Sequence, residues 1–259
     1  MARKRADVLL VERGLAESRE RARRLIMAGR ARVGTTTLVK PSAMLEVDAV
    51  IELIEPERYV SRGGYKLEAA LVRFAIDPLG LRCLDLGAST GGFTDCLLQN
   101  GAESVIAVDV GRAQLHQRLR DDPRVTLLAG TNARDLPALP AIDLFVADLS
   151  FISLRLVLPS VAHRLAPGTP GIVLVKPQFE AGKEQVPRGG VLRDPALRDR
   201  VLAEFVEWAR VEGWQPGQPL VSPIAGGSGN IEYLVAITVP PPEHTHDHQP
   251  RSHPPSPPE

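Results

Sequence analysis

The chain has few cysteines and no long apolar run. Cys83 and Cys96 are its only cysteines among 259 residues, too few for a disulfide framework or a four-ligand zinc site, and no metal is expected. No apolar run approaches the roughly 18 residues that a membrane-spanning helix needs. The apolar residues 8–11 are followed at once by Glu12 and Arg13, which argues against a secretory signal. The composition favours a soluble protein of the reducing cytoplasm.

Net charge is also absent, but the charges are unevenly distributed. Lys plus Arg and Asp plus Glu number 31 each, so the whole chain has no net attraction for nucleic acid. Residues 1–40, however, carry 11 Lys or Arg against 4 Asp or Glu. We therefore expect the N-terminal part to be the one that meets a polyanion.

A glycine-rich turn separates a short apolar strand from the start of a helix within residues 83–95. Its glycines allow a tight turn and close approach of the backbone to a ligand. Asp85 at the strand end would repel the diphosphate of a dinucleotide, whereas it would attract the cationic amino-acid group of S-adenosylmethionine. The turn therefore predicts that cofactor, with contacts from Asp85, Gly87, Ala88, Ser89, Gly91, Gly92 and Phe93.

A second carboxylate, Asp109, ends the next apolar strand, where ribose hydroxyls are usually bound. Both cofactor classes use an acidic residue at this position. The alternative is an ordinary βαβ unit whose glycines only form turns. Asp85 and Asp109 together favour the cofactor site.

Strands and helices alternate through the rest of the chain, which predicts a doubly wound α/β fold. Two closing segments, residues 219–224 and 231–239, have no helix between them and should pair as a terminal hairpin. The expected result is a mostly parallel seven-stranded sheet. Its other strands are predicted at residues 82–86, 104–109, 124–128, 142–147 and 171–176, and its helices at residues 65–75, 92–99, 112–120, 154–165 and 195–212.

The N-terminal residues predict a small α+β domain. Ser18 is a good N-cap and Gly29 a good terminator for a helix. The pattern that runs from Ser18 through Leu25 and Gly29 to Lys40 and Pro41 resembles the S4-type RNA-binding module. The alternative is a basic helical hairpin without a specific role, but phosphate contacts dominate RNA affinity and favour RNA binding. The candidate RNA contacts are Arg3, Lys4, Arg19, Arg21, Arg23, Arg24, Arg30, Arg32 and Arg62.

Composition also predicts the domain boundaries. Residues 1–58 are predicted to form the S4-like domain. The nearby Pro56 and the glycine pair Gly63 and Gly64 suggest a linker over residues 59–64. Residues 65–239 form the α/β domain. The proline- and histidine-rich residues 240–259 cannot bury a core and should be disordered.

Four ionisable residues occur at element ends that such a sheet brings to one edge: Lys66, Asp148, Lys176 and Glu232. Lys176 ends a wholly apolar strand, where its ammonium group is costly to desolvate and needs a partner. Each charge alone could be a surface salt bridge. All four together favour an active site.

This set, with the glycine loop, resembles the Lys-Asp-Lys-Glu tetrad of FtsJ-like ribose 2'-O-methyltransferases. With the N-terminal module and residues 61–66, 147–153 and 229–234, the chain resembles the TlyA family of hemolysin-named ribosomal RNA methyltransferases. The resemblance implies a class I Rossmann-like methyltransferase that acts on cytidines of both ribosomal subunits. It also places Asp148 near the cofactor and implies an adenine contact from Asn132, for which the alternative is an ordinary polar loop.

The chemistry assigns a role to each member of the tetrad. A ribose 2'-hydroxyl must lose its proton as it attacks, and a neutral Lys176 can accept that proton, with Lys66, Asp148 and Glu232 positioning it. Two alternatives stay open: a membrane-damaging hemolysin and a non-catalytic ribosome-binding protein. The sequence does not indicate the oligomeric state.

Overall fold

The structure is a computed structural model that describes residues 2–54, 57–112 and 114–242. The chain divides after Arg58 into two compact units. The disordered tail predicted for residues 240–259 lies outside the described residues from 243 onward. Among the described residues, no helix is both long and apolar enough to cross a membrane.

The first unit is a small α+β domain. Its helices α1 (Ala6–Glu12) and α2 (Arg19–Met27) share a core with the strands, formed by apolar side chains such as Leu9, Ile26 and Ile51. The Ser18 hydroxyl accepts a hydrogen bond from the Arg21 N–H and caps α2, as its sequence position predicts. Its strands are β1 (Arg3–Arg5), β2 (Ala31–Val33), β3 (Thr36–Thr37), β4 (Met44–Glu46) and β5 (Ile51–Leu53), paired β1–β4 and β3–β2–β5.

The second unit contains a seven-stranded sheet between helices. Its strands are β6 (Arg82–Leu86), β7 (Ser104–Asp109), β8 (Val125–Ala129), β9 (Leu144–Ala147), β10 (Pro170–Val175), β11 (Leu220–Val221) and β12 (Tyr233–Thr238). Its helices are α3 (Gly63–Phe74), α4 (Gly92–Gln99), α5 (Gln117–Arg120), α6 (Leu158–Ala162), α7 (Pro177–Glu180) and α8 (Pro195–Val211), with 3-10 turns at Leu154–Leu156 and Lys183–Gln185.

The strand order is β11-β12-β10-β9-β6-β7-β8. The five strands from β10 to β8 pair in parallel, and β12 is antiparallel to both β10 and β11. Apolar layers cover both faces of the sheet, as a parallel sheet requires. The mostly parallel sheet and its terminal hairpin are confirmed. Because β12 runs in the opposite direction, its first residues lie at the same edge as the carboxyl ends of the parallel strands.

The structure differs from the sequence-based boundaries in three places. Residues 59–64 are built into the second unit rather than forming a linker, because Tyr59 is buried in its core and α3 already begins at Gly63. The helix predicted at 112–120 begins only at Gln117. The helix predicted at 154–165 is a 3-10 turn followed by α6, because Pro159 lacks the N–H that would continue one helix.

Candidate active site

The glycine loop after β6 packs closely against its neighbours. Gly87 has φ +84°, a left-handed conformation, and a Cβ there would lie 2.5 Å from the carbonyl oxygen of Asp148. A Cβ on Gly92 would collide with the Ser61 hydroxyl, and one on Gly91 with Leu119. A side chain at Gly87 or Gly92 would therefore meet backbone atoms, whereas one at Gly91 would meet the ends of leucine side chains.

Two adjoining cavities open beside this loop. The first, of about 240 Å³, is lined by Ala88, Ser89, Gly92 and Phe93 on one side and by Lys66 and Lys176 on the other. The second, of about 400 Å³, is lined by Asp109, Asn132 and Phe151, among others. Both cavities share Gly87, Ser89, Asp148 and Ser150. Their combined size falls within the usual range for a cofactor site, about 300–1,000 Å³.

Asp109 and Asn132 line the second cavity, where a ribose and an adenine contact are predicted. The Asp109 carboxylate also holds the loop, since it accepts hydrogen bonds from the N–H groups of Ser89 at 2.8 Å and Gly111 at 2.7 Å. The side-chain oxygen of Asn132 accepts a hydrogen bond from the Arg134 N–H. Both residues are half-buried.

Asp85 and Gly91 lie behind the loop and line neither cavity. The Asp85 side chain is fully buried and accepts a hydrogen bond from the Thr94 hydroxyl at 2.6 Å. Its other oxygen has no hydrogen-bond partner among the described residues. Burial raises the pKa of Asp85 to about 7, against the opposing effect of Thr94. The direct ligand contact predicted for Asp85 is therefore not part of this geometry.

The four predicted catalytic residues form two ion pairs. The Lys176 ammonium lies 2.6 Å from an Asp148 carboxylate oxygen and donates to the Ser150 hydroxyl at 3.0 Å. The Lys66 ammonium donates to Glu232 at 2.5 Å. Both lysines are 8% exposed and Glu232 only 3%. Lys66, Asp148 and Lys176 line the same cavity, and Glu232 supports Lys66 from behind.

Strand register explains why residues so distant in sequence meet here. Val175, the last residue of β10, pairs with Tyr233, the first of β12. Lys176 and Glu232 therefore leave their strands at one point of the sheet edge. Asp148 follows β9, which pairs with β10 on its other side.

A buried carboxylate joins the loop after β9 to α7. Glu180 accepts hydrogen bonds from the Ser153 hydroxyl at 2.6 Å and the Leu154 N–H at 2.8 Å, and lies 3.7 Å from Arg155. Burial raises the pKa of Glu180. Asp148 lies on the first of these segments and Lys176 immediately precedes the second, so Glu180 links the two segments that carry these predicted catalytic residues.

Sequence reasoning assigned no role to Phe151 or Ser150. Phe151 is 91% exposed with φ +64°, and its ring lies 5.2 Å from that of Phe179. A large aromatic side chain held outward at a cavity in a left-handed conformation is an unfavourable arrangement, which makes Phe151 a candidate for contact with a ligand. Both residues lie within residues 147–153, but only the contact of Ser150 with Lys176 and the place of Phe151 at the second cavity distinguish them from other loop residues.

In the first unit most of the predicted RNA contacts are engaged in ion pairs. Arg21 and Arg23 are exposed and make no ion pair within the described part of the chain. Arg30 is half-buried, and Arg62 belongs to the second unit, where it is exposed and lines the 240 Å³ cavity. The pairs are Arg3–Glu46, Lys4–Glu12, Arg19–Asp7, Arg24–Glu20 and Arg32–Glu52.

The parallel sheet with one antiparallel strand near its edge, together with the glycine loop and its cavities, defines a Rossmann-like methyltransferase. The chain belongs to the FtsJ-like methyltransferase family, whose family model matches residues 59–238. The S4 domain model matches residues 4–51. The first unit is thus an S4 RNA-binding domain.

Relatives of known name cover nearly the whole chain. The 16S/23S rRNA (cytidine-2'-O)-methyltransferase TlyA of Mycobacterium tuberculosis is 48% identical over 91% of this chain and 90% of its own length. Hemolysin A of Brachyspira hyodysenteriae is 39% identical over 91% of this chain and all of its own length. A solved structure from Streptococcus thermophilus, described as a hemolysin, has a TM-score of 0.69 and 41% identity, covering 93% of this chain and 90% of that one.

Proposed function

We propose that this protein transfers a methyl group from S-adenosylmethionine to the 2'-oxygen of cytidines in ribosomal RNA, in the cytoplasm. The observation that carries the proposal is the meeting of Lys66, Asp148 and Lys176 in one cavity beside the glycine loop. The 48% identity to a protein named for this reaction supports the substrate, and so does the S4 domain.

The residues around the two cavities fit the cofactor. The close-packed glycines keep side chains out of the loop, and Asp109 and Asn132 supply polar groups for a nucleoside. We assign the cofactor contacts to Gly87, Ala88, Ser89, Gly92, Phe93, Asp109, Asn132 and Asp148, with Gly91 and Asp85 supporting the loop. When bound, the cofactor supplies a methyl group on a positively charged sulfur.

The two lysines have different tasks in this proposal. Lys176, once deprotonated, accepts the proton of the ribose 2'-hydroxyl, and Asp148 stabilises the ammonium that results. Ser150 orients the Lys176 side chain. Lys66 stays paired with Glu232 and places a positive charge near the forming ether oxygen. Such base catalysis accounts for about 100- to 10,000-fold in rate.

Two charge-conserving variants test these roles. Arginine preserves the positive charge but stays protonated. We expect Lys176→Arg to lower kcat by about 100-fold or more, and Lys66→Arg to lower it much less. The measurement is transfer of labelled methyl to unmodified ribosomal subunits, followed by mapping of alkali-resistant ribose sites. Equal losses in the two variants, with cofactor binding intact, would contradict the assignment of Lys176 as the base.

The same preparations test the alternatives. Cofactor binding without methyl transfer to any ribosomal RNA would favour a non-catalytic ribosome-binding protein. The hemolysin name of a relative at 39% identity suggests membrane damage as a second activity. Leakage of dye from liposomes by the pure protein, unchanged in Lys176→Arg, would support that activity.

A further inference from the structure

The S4 domain contains a cavity of about 600 Å³, and none of the residues that line it belongs to the methyltransferase unit. Part of its lining is apolar, and the larger side chains there are Leu15, Leu25, Leu53 and Ile54. Among the described residues of the lining, the charged side chains are those of Arg21, Arg24, Arg30 and Glu17. The described part of the lining thus combines an apolar surface with the two exposed arginines Arg21 and Arg24.

Two of these arginines are available to a ligand. Arg21 is exposed and makes no ion pair within the described part of the chain. The Arg24 guanidinium lies 3.9 Å from Glu20, and both side chains are more than half exposed. An exposed pair at that distance contributes little, so Arg24 can exchange this partner for a ligand at small cost.

The ligand that matches this lining has a flat apolar part and negative charge. Guanidinium groups bind phosphate in a bidentate manner and also stack on nucleobases. In a duplex the bases are stacked inside, whereas an unpaired nucleotide can turn its base outward. We propose that this cavity binds one unpaired nucleotide of the RNA substrate, with its base against the apolar side chains and its phosphates at Arg21 and Arg24. The inference rests on the proposed action on RNA and adds a second, non-catalytic contact.

The test compares two RNA hairpins with the same loop, one with a fully paired stem and one whose stem carries in addition a single bulged 2-aminopurine. Binding to the full-length protein is measured by fluorescence at several salt concentrations. We expect the wild type to bind the bulged hairpin about 5-fold more tightly or better, with a change in 2-aminopurine emission. Arg21→Gln should abolish most of this preference and reduce the salt slope by about 1.

Two further variants distinguish binding in the cavity from general electrostatic attraction to RNA. Arg23→Gln is the matched control, because Arg23 on α2 is also exposed and without an ion pair to any described residue, but does not line the cavity. It should weaken both hairpins equally and keep the preference. Ala28→Leu adds aliphatic volume to the cavity lining without changing charge, so it should reduce the preference and leave the salt slope unchanged.

Equal binding of the two hairpins by the wild type would overturn the inference, and so would equal effects of Arg21→Gln and Arg23→Gln. Binding of an acidic peptide but of neither hairpin would assign the cavity to a protein partner instead. Methyl transfer is measured on the same samples. Normal methyl transfer without a preference for the bulged hairpin would contradict only the proposed cavity site. A preference that Arg21→Gln abolishes, without methyl transfer to any RNA, would contradict only the proposed reaction.

Discussion

At the candidate active site two buried lysines each face one carboxylate. Removing one member of such a pair leaves an uncompensated buried charge, which costs about 3–5 kcal/mol. The arginine replacements of Lys66 and Lys176 therefore test chemistry better than alanine replacements do. Asp85 is also buried but, unlike the carboxylates of these pairs, it has no cationic partner among the described residues. Its second oxygen has no hydrogen-bond partner there either.

The raised pKa of Asp85 makes the stability of the fold depend on pH. Between about pH 4 and pH 7 the folded protein retains a proton that the unfolded chain releases, so the free energy of unfolding falls as pH rises through this window. A pKa near 7 corresponds to a loss of at most about 4 kcal/mol. Asp85→Asn keeps an acceptor for Thr94 and should remove this loss.

Urea unfolding at pH 5 and pH 8 checks the Asp85 prediction. The variant should gain stability relative to the wild type at pH 8 and much less at pH 5. Asp143→Asn is the control, because Arg82 lowers the pKa of Asp143 to about 2 and its contribution changes only below pH 4. An equal effect of Asp85→Asn at both pH values would contradict the predicted titration.

Alanine variants of two glycines that have the same φ distinguish backbone strain from steric collision of the added Cβ. Gly87 and Gly168 both have φ +84°, but a Cβ at Gly168 meets nothing within 4 Å. Gly168→Ala should cost only the left-handed strain, about 1–2 kcal/mol. Gly87→Ala should cost more and abolish methyl transfer, because its Cβ would displace the backbone of Asp148. Denaturant midpoints and activity of the two variants measure the difference, and similar losses in both would show that strain alone matters.

At the scale of elements, Glu180 connects α7 to the loop that carries Asp148. Glu180→Gln removes the charge and weakens the contacts to Ser153 and Arg155, so the unfolding free energy should fall by about 1–3 kcal/mol. If Glu180 also positions the Lys176–Asp148 pair, kcat should fall while cofactor affinity stays unchanged. The control is Glu204→Gln, an exposed carboxylate on α8. Loss of stability with unchanged kcat would make Glu180 a purely structural residue.

At the scale of the whole molecule, the two units have separate hydrophobic cores. A unit with its own core folds independently in most cases. We expect a chain of residues 59–242 to bind the cofactor with unchanged affinity, measured by calorimetry. Its affinity for ribosomal RNA fragments should fall by about 10-fold or more, because the arginines of the S4 domain are lost. Failure of this fragment to fold would show that the second unit depends on the first.

The sequence alone determined what depends on neighbouring residues. The strand, glycine turn and helix of residues 83–95 follow from local patterning, and the alternation of elements predicts the parallel sheet and its terminal hairpin. The four proposed catalytic residues could also be selected, because strand ends in such a fold meet at one edge. The family resemblance required only short motifs, such as residues 147–153.

Only the tertiary structure decided which charges meet and which side chains line the cavities. Glu232 reaches Lys66, 166 positions away in sequence, because β12 is inserted antiparallel between β10 and β11. Asp85 is buried behind the loop, and Phe151 faces outward beside the cavity. These outcomes depend on strand order and packing between distant segments, whereas propensity and periodicity describe only residues that are close along the chain.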